Sequence, residues 1–122
     1  MLLPDVGDIA WVDLDDARGT EQASRRPALV MTSRGFHEMS RRTIICPITS
    51  KRRDWPTNVH LPDGLKIAGT VLVDQIRSID RAERMFDIVE RVPHAVILAV
   101  HLKLTALLGF DLSAMLRGTE HA

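Results

Sequence analysis

Residues 18–30 read RGTEQASRRPALV, a polar stretch with one carboxylate, Glu21, and three guanidiniums, Arg18, Arg25 and Arg26, running straight into Pro27 and an apolar segment. A plain surface turn needs none of this chemistry, whereas a phosphate site does. Two readings stand side by side: an ion pair that pins a loop, or a carboxylate and guanidiniums arranged around a scissile phosphate. Arg supplies a planar fork of donors for phosphate oxygens, and Glu can take or orient a proton.

The flanks of this stretch set the fold class. Upstream, DIAWVDL (8–14) alternates as a strand covered on more than one side. Residues 15–25 form a polar loop, long for a simple connection, and long loops in compact domains are commonly functional. Downstream, RPALVMTS (26–33) is a second strand, with Pro27 near its start, where a missing N–H is tolerated. RGFHEMSRR (34–42) reads as a short helical or irregular excursion and TIICPIT (43–49) as a third strand, whose Pro47 implies an edge position or a bulge. A basic loop, SKRRDWPT, leads to a short strand at NVHL (58–61) and a PDG turn (62–64). GTVLVDQIRSID (69–80) is the longest strand-like run, and FDIVERV (86–92) adds another. A single strand over 74–80 puts Gln75, Arg77 and Ile79 on one face. A helix then begins at Pro93 and runs to Leu108, stopped by Gly109. The sum is a mainly β (α+β) domain over 1–110, a small antiparallel barrel of five to seven strands with a C-terminal helix, followed by a short tail, 111–122.

That helix is apolar on nearly all faces, which implies deep burial or a second copy of the chain against it. His94 and His101 on it read as core or interface residues, and Trp11 as core. The run AVILAVHLKLTALL (95–108) is interrupted by His101 and Lys103 and is shorter than the ~20 residues a spanning helix needs. No membrane is implied, and the first residues show no basic, then apolar, secretory pattern.

The 122 residues carry zero formal net charge, but unevenly. Residues 17–53 hold nine bases against Glu21 and Glu38, a net +7 that the remainder balances. Such asymmetry suits a localised polyanion surface; the alternative is bases scattered over unrelated faces. One cysteine, Cys46, excludes an internal disulfide, and the five histidines lack metal-site spacing. No metal or cofactor is expected. Thr49 and Ser50 offer hydroxyls at a strand end beside Lys51, Arg52 and Arg53. Trp55, in the same basic loop, either stacks on a base or packs within the loop.

Several separate stretches together resemble the MazF/PemK (Kid) family of toxin–antitoxin toxins: PDVGDIAWVDLD (4–15), RGTEQASRRPALV (18–30), CPITS (46–50), the Trp55–Pro56 pair and VLVDQIRSID (71–80). The resemblance implies an SH3-like (PemK/CcdB-like) barrel and a cytoplasmic, homodimeric, metal-independent endoribonuclease that cuts single-stranded RNA. It also implies a cognate MazE-like antitoxin whose acidic, flexible segment covers the RNA groove. Residue by residue, it gives Arg26 and Thr49 catalytic roles and Glu21 the role of base or loop organiser. Thr20, Gln22, Arg25, Ser50, Lys51, Arg52, Arg53, Trp55, Gln75 and Arg77 become RNA-contacting candidates. Two other readings are a gyrase-poisoning toxin of the CcdB type and a catalytically inactive RNA-binding barrel.

Overall fold

The computed structural model describes residues 2–14 and 25–110. In chain order the strands are β1 (Asp8–Asp13), β2 (Arg25–Val30), β3 (Arg42–Thr49), β4 (Asn58–His60), β5 (Thr70–Leu72), β6 (Arg77–Asp80) and β7 (Phe86–Arg91). A six-residue helix, α1 (Arg34–Met39), precedes β3, and α2 (His94–Leu107) follows β7. All pairings are antiparallel, in the order β4-β5-β3-β2-β1-β7, with β6 also on β3. This is the barrel-like sheet with a C-terminal helix that the sequence predicts.

The alternation in β1 and β2 feeds two cores, one on each side of the sheet. Ile9 and Leu29 join Cys46, Ile48, Val71, Val96 and Val100. Ala10, Val12, Ala28 and Val30 join Ile45 and Ile79 on the other side. Burial on both faces explains the unbroken apolar runs at 9–12 and 27–30 within these strands.

Proline decides where the strands part. Ile44 accepts from Met31 N and donates to Thr32 Oγ1, so its backbone faces β2; by alternation Cys46 and Ile48 do the same. Val30 O accepts from Gly7 N on the β1 side, so Leu29 and Pro27 face β3. The β2–β3 ladder runs Val30↔Ile45, Leu29↔Cys46, Ala28↔Pro47 and stops. The next bond would need an N–H from Pro27, which has none.

Pro47 corrects the sequence-based expectation, because β3 is the central strand and not an edge. Its other side is shared, with β6 opposite Arg42–Ile45 and β5 opposite Ile48–Thr49. By the same alternation the Pro47 nitrogen faces the seam between them, where no ladder donor is required. The run 69–80 is likewise not one strand. A 3-10 turn at Val73–Gln75 separates β5 from β6, so the single-strand face expected for Gln75, Arg77 and Ile79 does not exist. The helix starts one residue late, with Pro93 as its N-cap, and ends as expected at Gly109 (φ +84°). Nor is it deeply buried: only Val96 and Val100 are, while Leu98 and Leu102 remain 52% and 50% exposed. Among the described residues, no helix is long and apolar enough to cross a membrane.

The loop between β4 and β5 is held by two contacts. Glu90 on β7 accepts from the Lys66 and Ile67 amides at 2.9 and 2.8 Å, tying this loop to the other end of the sheet order. Gly69 (φ +138°) lets the loop pass over β3, since a Cβ there would meet the Thr49 carbonyl oxygen at 2.0 Å.

Gly69→Ala should therefore destabilise the fold by about 1–3 kcal/mol, read from the midpoint of urea unfolding. Glu90→Gln keeps the size but presents an NH2 group to one of the two amides. It should cost about 1–2 kcal/mol and speed hydrogen exchange at Lys66 and Ile67 without altering exchange in β1.

Candidate nucleic-acid interface

Where β2 and β3 part, a cleft of about 950 Å³ opens. Arg25, Arg26 and Pro27 border it from β2, and Pro47, Ile48 and Thr49 from β3. The loop after β3 adds Ser50, Lys51 and Arg53; the β4–β5 loop adds Lys66, Ile67 and Ala68; Gln75 and Arg77 line it from beyond β5. Among the described residues the lining holds six cationic side chains and no carboxylate. Such a surface attracts an anion and offers nothing to repel one.

Arg26 and Thr49 belong together by register. Two residues beyond Ala28↔Pro47, an antiparallel continuation sets Arg26 opposite Thr49. The ladder has opened there, so their side chains border the cleft and not a paired sheet. Arg26 is exposed, with Nη1 donating to the Arg25 carbonyl at 3.0 Å. Thr49 Oγ1 accepts from Lys51 N at 3.3 Å, a local turn bond that uses a lone pair and leaves the hydroxyl proton to be donated.

The remaining lining residues are positioned by contacts that sequence alone does not reveal. The Arg25 guanidinium lies 5.3 Å over the Trp11 ring, and its buried Nε has no hydrogen-bond partner among the described residues. Stacking of this kind holds a cation in place while leaving its edge for a ligand. Arg77 Nη1 donates to the Leu14 carbonyl at 3.1 Å, fixing one side of its fork. The 3-10 turn that broke the predicted strand carries Gln75 to the cleft beside Arg77.

Trp11 is thus a half-buried cleft wall and not simply core. Arg52 and Trp55 do not line the cleft: Arg52 borders a neighbouring pocket, and Trp55 is exposed on the loop. The basic block from 17 to 53 is also split, since Arg34 pairs with Asp5 at 4.0 Å and Arg41 with Asp80 at 3.1 Å. Thr20, Glu21 and Gln22 lie outside the described residues, though Leu14 and Arg25, which bound that segment, both line the cleft. Lys66, Ile67 and Ala68 complete the lining without standing out in the sequence. Their signal was a lysine in a short loop bracketed by Gly64 and Gly69.

The other reactive groups point elsewhere. Burial pushes the Cys46 thiol up to about 12, which leaves it no nucleophile at neutral pH. His37 is buried, 2.7 Å from the Pro4 carbonyl and 2.6 Å from Thr32 Oγ1, and braces the N-terminal segment. His94 and His101 are exposed on α2, so neither is core. Among the described residues no three His, Cys, Asp or Glu side chains group as metal ligands.

Comparison with known proteins agrees with this geometry. Residues 5–108 match the family model described as PemK-like, MazF-like toxin of type II toxin–antitoxin system. Endoribonuclease toxin MazF of Escherichia coli (strain K12) is 36% identical over 77 residues, 63% of this chain and 68% of the relative. Endoribonuclease PemK of Escherichia coli is 34% identical over 106 residues, covering 84% of this chain and 80% of the relative. The crystal structure of MazE-MazF (Form-II) from Deinococcus radiodurans superposes with a TM-score of 0.80 at 32% identity, over 91% of this chain and all of that one. With sequence, fold and a family match across nearly the whole described core in agreement, the chain belongs to the PemK-like, MazF-like toxins of type II toxin–antitoxin systems.

Proposed function

We propose that this chain is a cytoplasmic toxin that cuts single-stranded RNA in the cleft between β2 and β3, and that Arg26 and Thr49 carry the reaction. The supporting observation is their opposition across the gap that Pro27 opens, in a lining that among the described residues holds six cationic side chains and no carboxylate. RNA brings its own nucleophile. The ribose 2′-oxygen attacks the adjacent phosphorus, the bond to the 5′-oxygen breaks, and a 2′,3′-cyclic phosphate and a 5′-hydroxyl remain.

The protein has three tasks: to hold the backbone in line, to stabilise the phosphorane and to manage protons. Arg26 neutralises the charge that grows on the phosphorane oxygens. Thr49 donates its hydroxyl proton to a non-bridging oxygen, a role its bond from Lys51 N leaves open. A guanidinium is a poor proton donor, so Arg26 acts by charge. Glu21 would serve as the base or organise its loop, with Thr20 and Gln22 contacting RNA beside it. Lys51, Arg53, Lys66 and Arg77 meet flanking phosphates, and Gln75 meets a base edge. Ser50 adds a hydroxyl at the rim, with Arg52 and Trp55 outside the cleft proper.

Two partners follow. A MazE-like antitoxin with an acidic, flexible segment would fill the same cationic cleft, as the MazE–MazF assembly of a relative suggests. A second copy of this chain would cover α2, whose Leu98 and Leu102, one turn apart, form an exposed apolar strip.

Cleavage of an RNA oligonucleotide in EDTA, with end-mapping of the products, tests the reading. Arg26→Ala should keep the fold and lose about 10²–10³ in rate; Thr49→Ala should lose less. Near-wild-type cleavage by Arg26→Ala would refute the assignment, and RNA bound but left whole would mark an inactive RNA-binding barrel. For the second partner, Leu98→Asp with Leu102→Asp should convert a dimer to a monomer in sedimentation. A wild-type chain that sediments as a monomer would remove the second copy.

A further inference from the structure

The loop at 50–57 brings Lys51 and Arg53 to the cleft, yet it belongs to no strand. Two side chains of β4 hold it. Asn58 Nδ2 donates to the Arg53 carbonyl at 3.1 Å. His60 Nε2 lies 2.9 Å from Asp54 Oδ1, an oxygen of an exposed carboxylate that also pairs with Arg52 Nε of the same loop at 3.5 Å. The two residues share one side of β4 because Val59 between them turns into the core.

The His60 ring is itself fixed from inside the barrel. Nδ1 is 2.9 Å from Oγ1 of Thr70, its partner across the β4–β5 ladder, and Thr70 is wholly buried. In the neutral ring the Thr70 hydroxyl donates to Nδ1, so the proton sits on Nε2 and is donated to Asp54. In the charged ring both nitrogens donate, and both bonds remain. The chain Thr70–His60–Asp54 therefore carries the rigidity of the core out to an exposed loop.

The loop also divides two cavities. A pocket of about 240 Å³, bordered by Arg52, His60 and Thr70, shares Ser50 and Ala68 with the cleft. Moving the loop alters both spaces at once.

We propose that His60 and Asp54 are positioning residues for RNA: they hold the 50–57 loop so that Lys51 and Arg53 meet the strand in a fixed register. They act on binding and sequence preference and leave the chemistry at Arg26 and Thr49 untouched. This rests on the RNA-cleaving function proposed above.

The test combines steady-state cleavage of an RNA oligonucleotide with hydrogen exchange, for wild type, His60→Ala, Asp54→Ala, the double variant and His60→Gln. Each single alanine variant should raise KM about two- to fivefold with kcat nearly unchanged, as expected for loss of one partly exposed polar contact. Exchange at 51–57 should quicken, and the sequence preference should relax. The double variant should fall short of the sum of the two single ones, because both remove the same His60–Asp54 contact, while only His60→Ala loses the Thr70 bond and only Asp54→Ala the Arg52 pair. His60→Gln, which keeps an N–H for Asp54, should recover part of the KM.

Asp54 is exposed, so its variant separates loss of the tether from loss of the fold. Unchanged KM and unchanged loop exchange in Asp54→Ala would overturn the proposal. So would additive effects, or a fall in kcat and Tm at constant KM. A wild-type chain that cuts no RNA would sink the functional reading separately, and loop exchange in the variants would then decide the tether by itself.

Discussion

A single absent hydrogen-bond donor shapes the cleft. Pro27 sits in β2 with its nitrogen toward β3, and the ladder ends at the neighbouring Ala28↔Pro47 pair. Any other residue there would supply an N–H that Ile48 O could accept, and the sheet could close over the place where Arg26 and Thr49 now face each other. A single backbone bond contributes only about 0.5–1.5 kcal/mol net, so the fold loses little by its absence. The strand is retained because its other edge is fully paired with β1, including Trp11↔Pro27. Pro47 performs a related task on the far side of β3, where its missing donor falls at the β5–β6 seam. One proline opens a cleft, and the other lets the central strand change partners.

Charge segregation then gives the opened space its character. Zero net charge is compatible with a polyanion site because several basic residues away from the cleft are paired with carboxylates, whereas the cleft lining, among the described residues, holds none. Asp8 holds Arg91 at 3.2 Å, and Asp80 holds Arg41 at 3.1 Å. The Arg34 backbone N–H, more than its side-chain charge, holds the Asp5 carboxyl below the usual carboxylate range. Arg81, whose burial lowers its affinity for a proton, spends its guanidinium on Thr43 Oγ1 and the carbonyls of His37, Ser40 and Arg42. Binding of RNA in the cleft should accordingly weaken with salt, as phosphate contacts do.

Much of this was legible before any coordinates. The strands at 8–14, 26–33 and 43–49 and the helix ending at Gly109 follow from alternation, proline and glycine, which are local signals. Arg25, Arg26, Thr49, Ser50, Lys51, Arg53, Gln75 and Arg77 are site candidates largely through the family resemblance; they border one cleft, whereas the candidates Arg52 and Trp55 do not. What failed depended on partners distant in sequence. Pro47 reads as an edge signal only if both sides of a strand have continuous neighbours, and the β5–β6 seam cannot be seen locally. Val73 is buried in a 3-10 turn, yet its hydrophobicity made 69–80 look like one strand. Lys66 was passed over because Glu90, 24 residues away, is what brings its loop to the cleft.

The cleft and the fold are therefore held by different kinds of interaction. The sheet rests on ladders and on two apolar cores, whereas the cleft walls are tied down by side chains: Glu90 to the Lys66 and Ile67 amides, Arg77 to the Leu14 carbonyl, and Asn58 and His60 to the 50–57 loop. Each tie is partly exposed and contributes modestly to stability, so the walls can be rebuilt without endangering the barrel. The pair proposed to carry the reaction is placed differently. Arg26 is the second residue of β2, paired with Val12, and Thr49 is the last of β3, paired with Thr70, while Gly69 packs directly against the Thr49 carbonyl. On the proposed function, chemistry anchored in the sheet and recognition mounted on tethered loops would give one scaffold a constant reaction with adjustable sequence choice.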